Sequence, residues 1–184
     1  MKYLIFNTLI FSGLTLQPAF AAVQVKDDLG RSVTLAQPAK RIISLAPHLT
    51  EDLFAIGAGG QLVGVVSYSD YPKAALKIPL VGGYTGVDLE KIRALRPDLI
   101  VAWQSGNPPA QLQKIAALGI PMFYDNSQTL KDVPTVLERL GVLTGQADGA
   151  TAAAQQFRGR LANSKNSMQT SVPCAPFIKS GIDP

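Results

Sequence analysis

Apolar residues recur along this chain in short runs, most of them followed by a stretch with helical spacing. The first run is different in kind. Behind Lys2, residues 3–16 are almost wholly apolar, and Ala19-Phe20-Ala21 has the small-x-small form of a cleavage site. A charged start, an apolar middle and a small-residue end predict a secretory signal over residues 1–21. The run is shorter than the roughly 18–20 residues that span a bilayer, so a membrane anchor is not expected. No Leu-x-x-Cys lipobox follows it. The expected location is therefore the periplasm, reached through a cleavable signal.

Beyond the signal, weak alternation at Val23, Val25, Val33 and Leu35 brackets Asp27-Asp28-Leu29-Gly30 and predicts a hairpin. Residues 41–45 then read as a buried strand and 51–56 as a helix, with Glu51 and Asp52 expected in its first turn and Gly57 at its end. Further strands are expected at 62–66, 78–81, 98–103 and 120–124. Asp88 is placed to cap a helix to about Leu95, with Leu89, Ile92 and Leu95 on one face. Other helices are expected at 110–118, 130–143 and 147–161, the last with Ala/Gln/Arg-rich helix-forming composition. Strands alternating with helices define an α/β fold class, a parallel-sheet lobe covered on both faces.

Composition narrows the function classes. A chain of 184 residues, 47% hydrophobic and 16% charged, belongs with folded globular proteins. One Cys excludes a disulfide framework and a Cys-based zinc cluster, and one His excludes a multi-His metal site. The net charge is +4, but Lys and Arg are scattered singly without interleaved aromatics, so nucleic acid is not an expected partner.

Catalytic signatures are weak. Gly57-Ala58-Gly59-Gly60 fails the dinucleotide fingerprint, because Leu62 stands where the third Gly should be and a helix precedes it. It reads as a helix end and turn. Neither a Gly-x-Ser-x-Gly elbow nor a P-loop occurs. A Ser-His-Asp set would have to use His48, and nothing in the sequence places a serine and a carboxylate around it. Asp88 and Glu90, two apart, do not share a helix face. An enzyme is not expected.

Polar-tipped aromatics instead follow strand ends: Tyr68 after Val66, Tyr84 after Val81 and Trp103 at the end of its strand, with Pro47 and His48 after Leu45. In an open α/β sheet, ligands sit at the carboxyl edge of the strands, so these loops are expected to converge on one surface. An aromatic set with few ionisable groups suits a large flat ligand better than a phosphate or metal ion. His48 has two readings: a polar or axial contact to the ligand, or a helix-start residue satisfying backbone groups.

Three segments then carry a resemblance. They are residues 41–51 (Arg-Ile-Ile-Ser-Leu-Ala-Pro-His-Leu-Thr-Glu), residues 63–72 with Tyr68-Ser69-Asp70-Tyr71-Pro72, and residues 88–107 with Leu95-Arg96-Pro97-Asp98-Leu99-Ile100 and Ala102-Trp103-Gln104-Ser105-Gly106-Asn107. This succession resembles the helical-backbone class of periplasmic binding proteins, which serve ABC importers of cobalamin, iron-siderophores and haem. The Tyr-Ser-Asp-Tyr-Pro and Ala-Trp-x-x-Gly-Asn elements resemble its cobalamin-binding members. The resemblance implies binding rather than catalysis, with no cofactor of its own and cobalamin or a related corrinoid as transported ligand. It implies that Pro47, Tyr68 and Trp103 line the corrinoid cleft, that Tyr84 takes an aromatic position often held by Trp, and that Glu90 docks on the membrane permease of the importer. A monomer is expected. The rivals are a siderophore or haem binder of the same class, an exported enzyme and a metal-ion chaperone.

The class has two α/β lobes joined by a long helix. The resemblance therefore divides this chain into an N-terminal lobe at 22–145, the start of the interlobe helix at 146–163, and a tail at 164–184 where the pattern breaks and a second lobe is missing. An out-of-frame tail is the expectation. Asn166 to Pro184, back-translated and reread one nucleotide earlier, can yield K-Q-Y-A-N-K-R-P-V-R-A-F-Y-Q-V-W-D-R-P, a helix end followed by a strand.

Overall fold

The computed structural model describes residues 22–83 and 85–170, with side chains to Ser164. The expected signal at 1–21, the position of Tyr84 and the end of the expected tail lie outside the described residues.

The sheet is organised around a very short strand. β3 (Ile42–Ser44) is fully buried on both faces and lies between β4 (Leu62–Val66) and β7 (Leu99–Trp103), parallel to both. β5 (Leu80–Gly83) continues the parallel array beyond β4, and β8 (Met122–Asp125) continues it beyond β7. With β6 (Gly86–Val87) antiparallel on β5, the six-stranded order is β6-β5-β4-β3-β7-β8. The order reverses direction at β3, where the chain crosses over to β4 on one side and later to β7 on the other. A separate hairpin, β1 (Val23–Lys26) with β2 (Ser32–Leu35), pairs Val25 with Val33 as the alternation predicts. Its turn places Gly30 at φ +75°, a conformation a side chain would strain.

Successive residues of each strand face opposite sides, so two cores form. Ile42, Val65, Leu99, Val101 and Phe123 join Leu49 and Leu53 of α1 (Pro47–Ala55), Leu137, Leu140 and Leu143 of α4 (Val133–Thr144), and Ala150 and Ala154 of α5 (Ala147–Thr170). Ile43, Ile100, Ala102 and Tyr124 join Ile92 of α2 (Leu89–Ala94) with Leu112 and Ile115 of α3 (Pro109–Ala116). These elements bear out the α/β, mostly parallel expectation. The Asp88 carboxylate caps α2 by accepting from the Lys91 N–H at 2.9 Å.

Among the boundaries that differ from expectation, three have a local reason. α1 begins at Pro47, where the fixed proline φ suits the first helical position. Glu51 and Asp52 consequently fall outside its first turn. β5 lies slightly later than residues 78–81, because its ladder with β4 begins at Val65 and Leu80. α5 continues through residues 164–170, which the loss of apolar periodicity had assigned to the tail. Its composition there lacks Gly and Pro, and helix propensity does not need an apolar face. Among the described residues, no helix is long and apolar enough to cross a membrane.

α5 is seated by close approach. Gly141 of α4 faces Ala150, and Gly149 of α5 lies against the Ile56 carbonyl at the end of α1, where an added Cβ would stand 2.3 Å from the oxygen. Gly149→Ala therefore sets a helix-propensity gain of about 1 kcal/mol against an overpacking cost of about 1–3 kcal/mol with rigid backbone as the obstacle. We expect a net loss, read as a lower urea midpoint at unchanged slope. Gly159→Ala, on the same helix and facing open space, is expected to stabilise instead.

Candidate ligand-binding site

The carboxyl ends of β3, β4 and β7 open onto one apolar recess of about 190 Å³. Pro47 at the start of α1, Tyr68 after β4 and Trp103 at the end of β7 line it together with Val66, Gly83 and Asn107. Three of the aromatic and proline positions singled out from the sequence are thus brought together on one surface.

Each is held by specific bonds. Asn107 links the β7 loop to β3: its Nδ2 donates to the Leu45 carbonyl at 2.8 Å, while its Oδ1 accepts from the Trp103 N–H at 2.8 Å. Thr50 on α1 donates to the Ser44 hydroxyl at 2.9 Å and lies 3.3 Å from the Ser69 hydroxyl, tying β3 and α1 to the Tyr68 loop in a buried network. Tyr68 itself has φ +68° and is 83% exposed. A non-glycine residue in the left-handed region is uncommon and costs roughly 1–2 kcal/mol. A large ring held there in solvent contributes little to folding.

Beside this recess, Trp103 also borders a second, more polar one of about 380 Å³ that includes His48, Asp52, Asp125, Ser127 and Thr129. His48 Nε2 lies 3.0 Å from Asp125 Oδ2, and its ring meets Trp103 edge-on, with centroids 5.2 Å apart and planes at 86°. Neither sequence reading of His48 included this partner. The sequence alone placed no carboxylate around His48; Asp125, at the end of β8, is brought there by the sheet order. Asp125 is buried, and burial alone would raise its carboxyl. Hydrogen bonds from His48 and from the Ser127 hydroxyl and N–H outweigh that and hold it below the usual carboxylate range. Ser127 bonds to Asp125, not to the imidazole, so the three do not form a nucleophile-base relay.

Asp52 is half-buried close by. Burial pushes its carboxyl up to about 7, against an opposing pull from His48 and with added repulsion from Asp125 and Glu51. Among the described residues, no group of three or more His, Cys, Asp or Glu is arranged to hold a metal ion. Glu90 is exposed in the first turn of α2, away from both recesses.

Sequence reasoning gave no site role to Asn107, Asp52 or Asp125. The signal for Asp125 was present: it ends a fifth strand at the same sheet edge, but the search there was for aromatics.

Comparison with known proteins completes the picture. The sequence profile described as Periplasmic binding protein matches residues 42–178. The chain belongs to the periplasmic binding protein family. It is 40% identical over 149 residues to a vitamin B12-binding protein of Yersinia pestis, covering 81% of this chain and 53% of that protein. The crystal structure of the periplasmic vitamin B12 binding protein BtuF of Vibrio cholerae superposes with a TM-score of 0.69 at 40% identity, covering 74% of this chain and 53% of the other. A periplasmic heme binding protein from Pseudomonas aeruginosa gives 0.65 at 29% identity, covering 73% and 50%. The chain thus spans about half the length of the curated relatives it matches. These relatives are described as binding proteins.

Two outcomes follow from the site's construction. Tyr68→Gly relieves the left-handed strain, so the fold is expected to stay within about 1 kcal/mol of wild type. Asn107→Ala, which leaves the Leu45 carbonyl unpaired, is expected to cost about 1–3 kcal/mol in the same denaturant titration. Asp52 gives a pH signature. Its folded-state pKa is raised, so its contribution is full below about pH 4 and is lost as pH rises through about 7. Asp52→Asn should therefore gain stability relative to wild type between pH 4 and pH 8, measured by paired melts; a constant difference would contradict this.

Proposed function

We propose that this chain supplies the ligand-capturing N-terminal lobe of a periplasmic substrate-binding component of an ABC importer. In this reading it takes cobalamin or a related corrinoid and delivers it to the membrane permease. The observation that carries the reading is the joining of Pro47, Tyr68 and Trp103 in one apolar recess, on a chain 40% identical to proteins named for vitamin B12 binding. The recess offers a flat, largely apolar ring contact, with Trp103 and Tyr68 as the large surfaces, and a corrin is a large flat ring. Binding, not turnover, is the activity. Tyr84 extends the aromatic set, and exposed Glu90 is the permease-docking carboxylate.

The proposal includes the compartment and the layout. Residues 1–21 direct export to the periplasm, 22–145 form the lobe, and 146–163 begin the helix toward a second lobe. Residues 164–184, the first seven of which continue α5, are the part proposed to lie out of frame. The nucleotide sequence downstream tests this last point: coding for a second lobe in another frame is expected, and its absence in every frame would sink it.

A second reading has a specific observation behind it, the likeness to a periplasmic heme binding protein at 29% identity. Absorbance titrations with cyanocobalamin and with hemin separate the two. Ligand sites commonly bury about 70–90% of a ligand's surface, and one open face cannot do that. The 184-residue chain should therefore shift the corrinoid spectrum only weakly, with a dissociation constant above micromolar. Trp103→Ala should weaken it by about tenfold or more. A submicromolar constant would contradict the single-face argument, and a spectral shift with hemin alone would favour the second reading.

A further inference from the structure

Trp103 opens a turn that is closed on itself. Its N–H donates to Asn107 Oδ1 at 2.8 Å, and the Asn107 N–H donates back to the Trp103 carbonyl at 2.9 Å. The Asn107 amide ties the turn to the Leu45 carbonyl, and the Gln104 N–H ties it to the Asp125 carbonyl, both at 2.8 Å. Within this anchored turn lies Gly106, which borders the apolar recess beside Trp103.

Gly106 is not required by its own backbone, because its φ lies outside the left-handed region that favours glycine. What leaves no room for a side chain is the indole. A Cβ added at Gly106 would overlap Trp103 Cδ2, Cε3 and Cζ3 together. It would stand nearly as close to the outer two of these consecutive atoms as to Cε3, which puts it over the ring face rather than at the rim. The benzo half of the indole therefore lies against the Gly106 backbone. His48 meets the indole at 86°, with centroids 5.2 Å apart, so the ring is located by a backbone on its face and an imidazole set across it.

We infer that Gly106 is a positioning residue for Trp103, and that its lack of a side chain is what lets the indole lie flat on the turn as a platform for a ring-shaped ligand. The inference rests on the reading of Trp103 as a ligand-lining residue, but its first test needs no ligand.

A methyl group at Gly106 has to be accommodated either by the turn or by the indole. The turn is held at both ends, and moving it would strip the Leu45 carbonyl of its partner. The indole is 37% exposed, and rotation about its side-chain torsions carries it outward without breaking those bonds. The substitution therefore spares the fold and displaces the platform.

Trp103 is the only tryptophan of the chain, so tryptophan signals report this ring alone. Gly106→Ala in the full chain is expected to keep the far-ultraviolet spectrum and the urea midpoint of wild type. It should lose most of the near-ultraviolet indole bands, which require a fixed ring, and its emission should be quenched more readily by acrylamide. Gly60→Ala, where an added Cβ meets nothing, should leave both signals at wild type. Indole bands and quenching that superimpose on wild type in Gly106→Ala overturn the inference, with or without a lowered midpoint. Should Gly106→Ala not fold, the double variant with Trp103→Ala removes the overlap and is expected to fold as Trp103→Ala alone does; a double variant that still fails overturns it. With cyanocobalamin, Gly106→Ala should weaken binding about tenfold or more, as expected for Trp103→Ala. Wild-type affinity with a displaced indole would overturn the platform role. An unshifted corrinoid spectrum with the wild-type chain would overturn the ligand reading and leave the ring signals untouched.

Discussion

The rest of this structure depends on how the carboxyl end of β3 is satisfied. That strand is buried on both faces, so the polar backbone where it stops cannot turn to water. Three side chains take over. Ser44 donates to the Ala46 carbonyl at 2.9 Å, Thr50 donates to Ser44, and Asn107 reaches across from the β7 loop to the Leu45 carbonyl. Thr50 also lies 3.3 Å from the Ser69 hydroxyl, so these bonds draw the start of α1, the loop after β4 and the loop after β7 to the same point. The start of α1, the Tyr68 turn and the Trp103 turn are therefore positioned by one polar junction beneath them.

The same junction separates two kinds of chemistry. On the side of β4, the exposed surface is aromatic and aliphatic. On the side of β8, Asp125 lies buried and is stabilised as an anion by His48 and Ser127. Trp103 stands between, its backbone held by Asn107 and its ring by His48. Polar groups this close to an apolar platform are tolerated because they are satisfied among themselves. Asp52, pushed up by its burial, adjusts by holding its proton up to about neutrality.

Much of this was legible in the sequence, and the reason is the regularity of βα units. Short apolar runs marked the strands, Asp88 and Gly57 marked helix ends, and aromatic residues just past Val66 and at Trp103 marked the carboxyl edge of the sheet. The fold class followed, and so did the meeting of Pro47, Tyr68 and Trp103 in one recess. What escaped depended on sheet order rather than chain order. His48 and Asp125 are far apart in sequence and meet because β7 carries β8 to the outer side of β3. The two-residue β6 was too short to show a period, and Asp52 looked like a first-turn carboxylate until the proline start moved α1 earlier. Periodicity reports which face a residue takes, not which distant strand lies beside it.

α1 carries this logic to the far side of the lobe. Its first turn presents Pro47 and His48 to the two recesses, while its last residues meet Gly149 at a distance only glycine allows. α5 therefore rests directly on the backbone of the helix whose other end helps form the site. Its inner face is fixed by Ala150 and Ala154 against α4, and its later turns are largely exposed. A side chain at Gly149 would push on the Ile56 carbonyl at the end of α1. One nine-residue helix thus carries Pro47 and His48 at its start and seats α5 at its end.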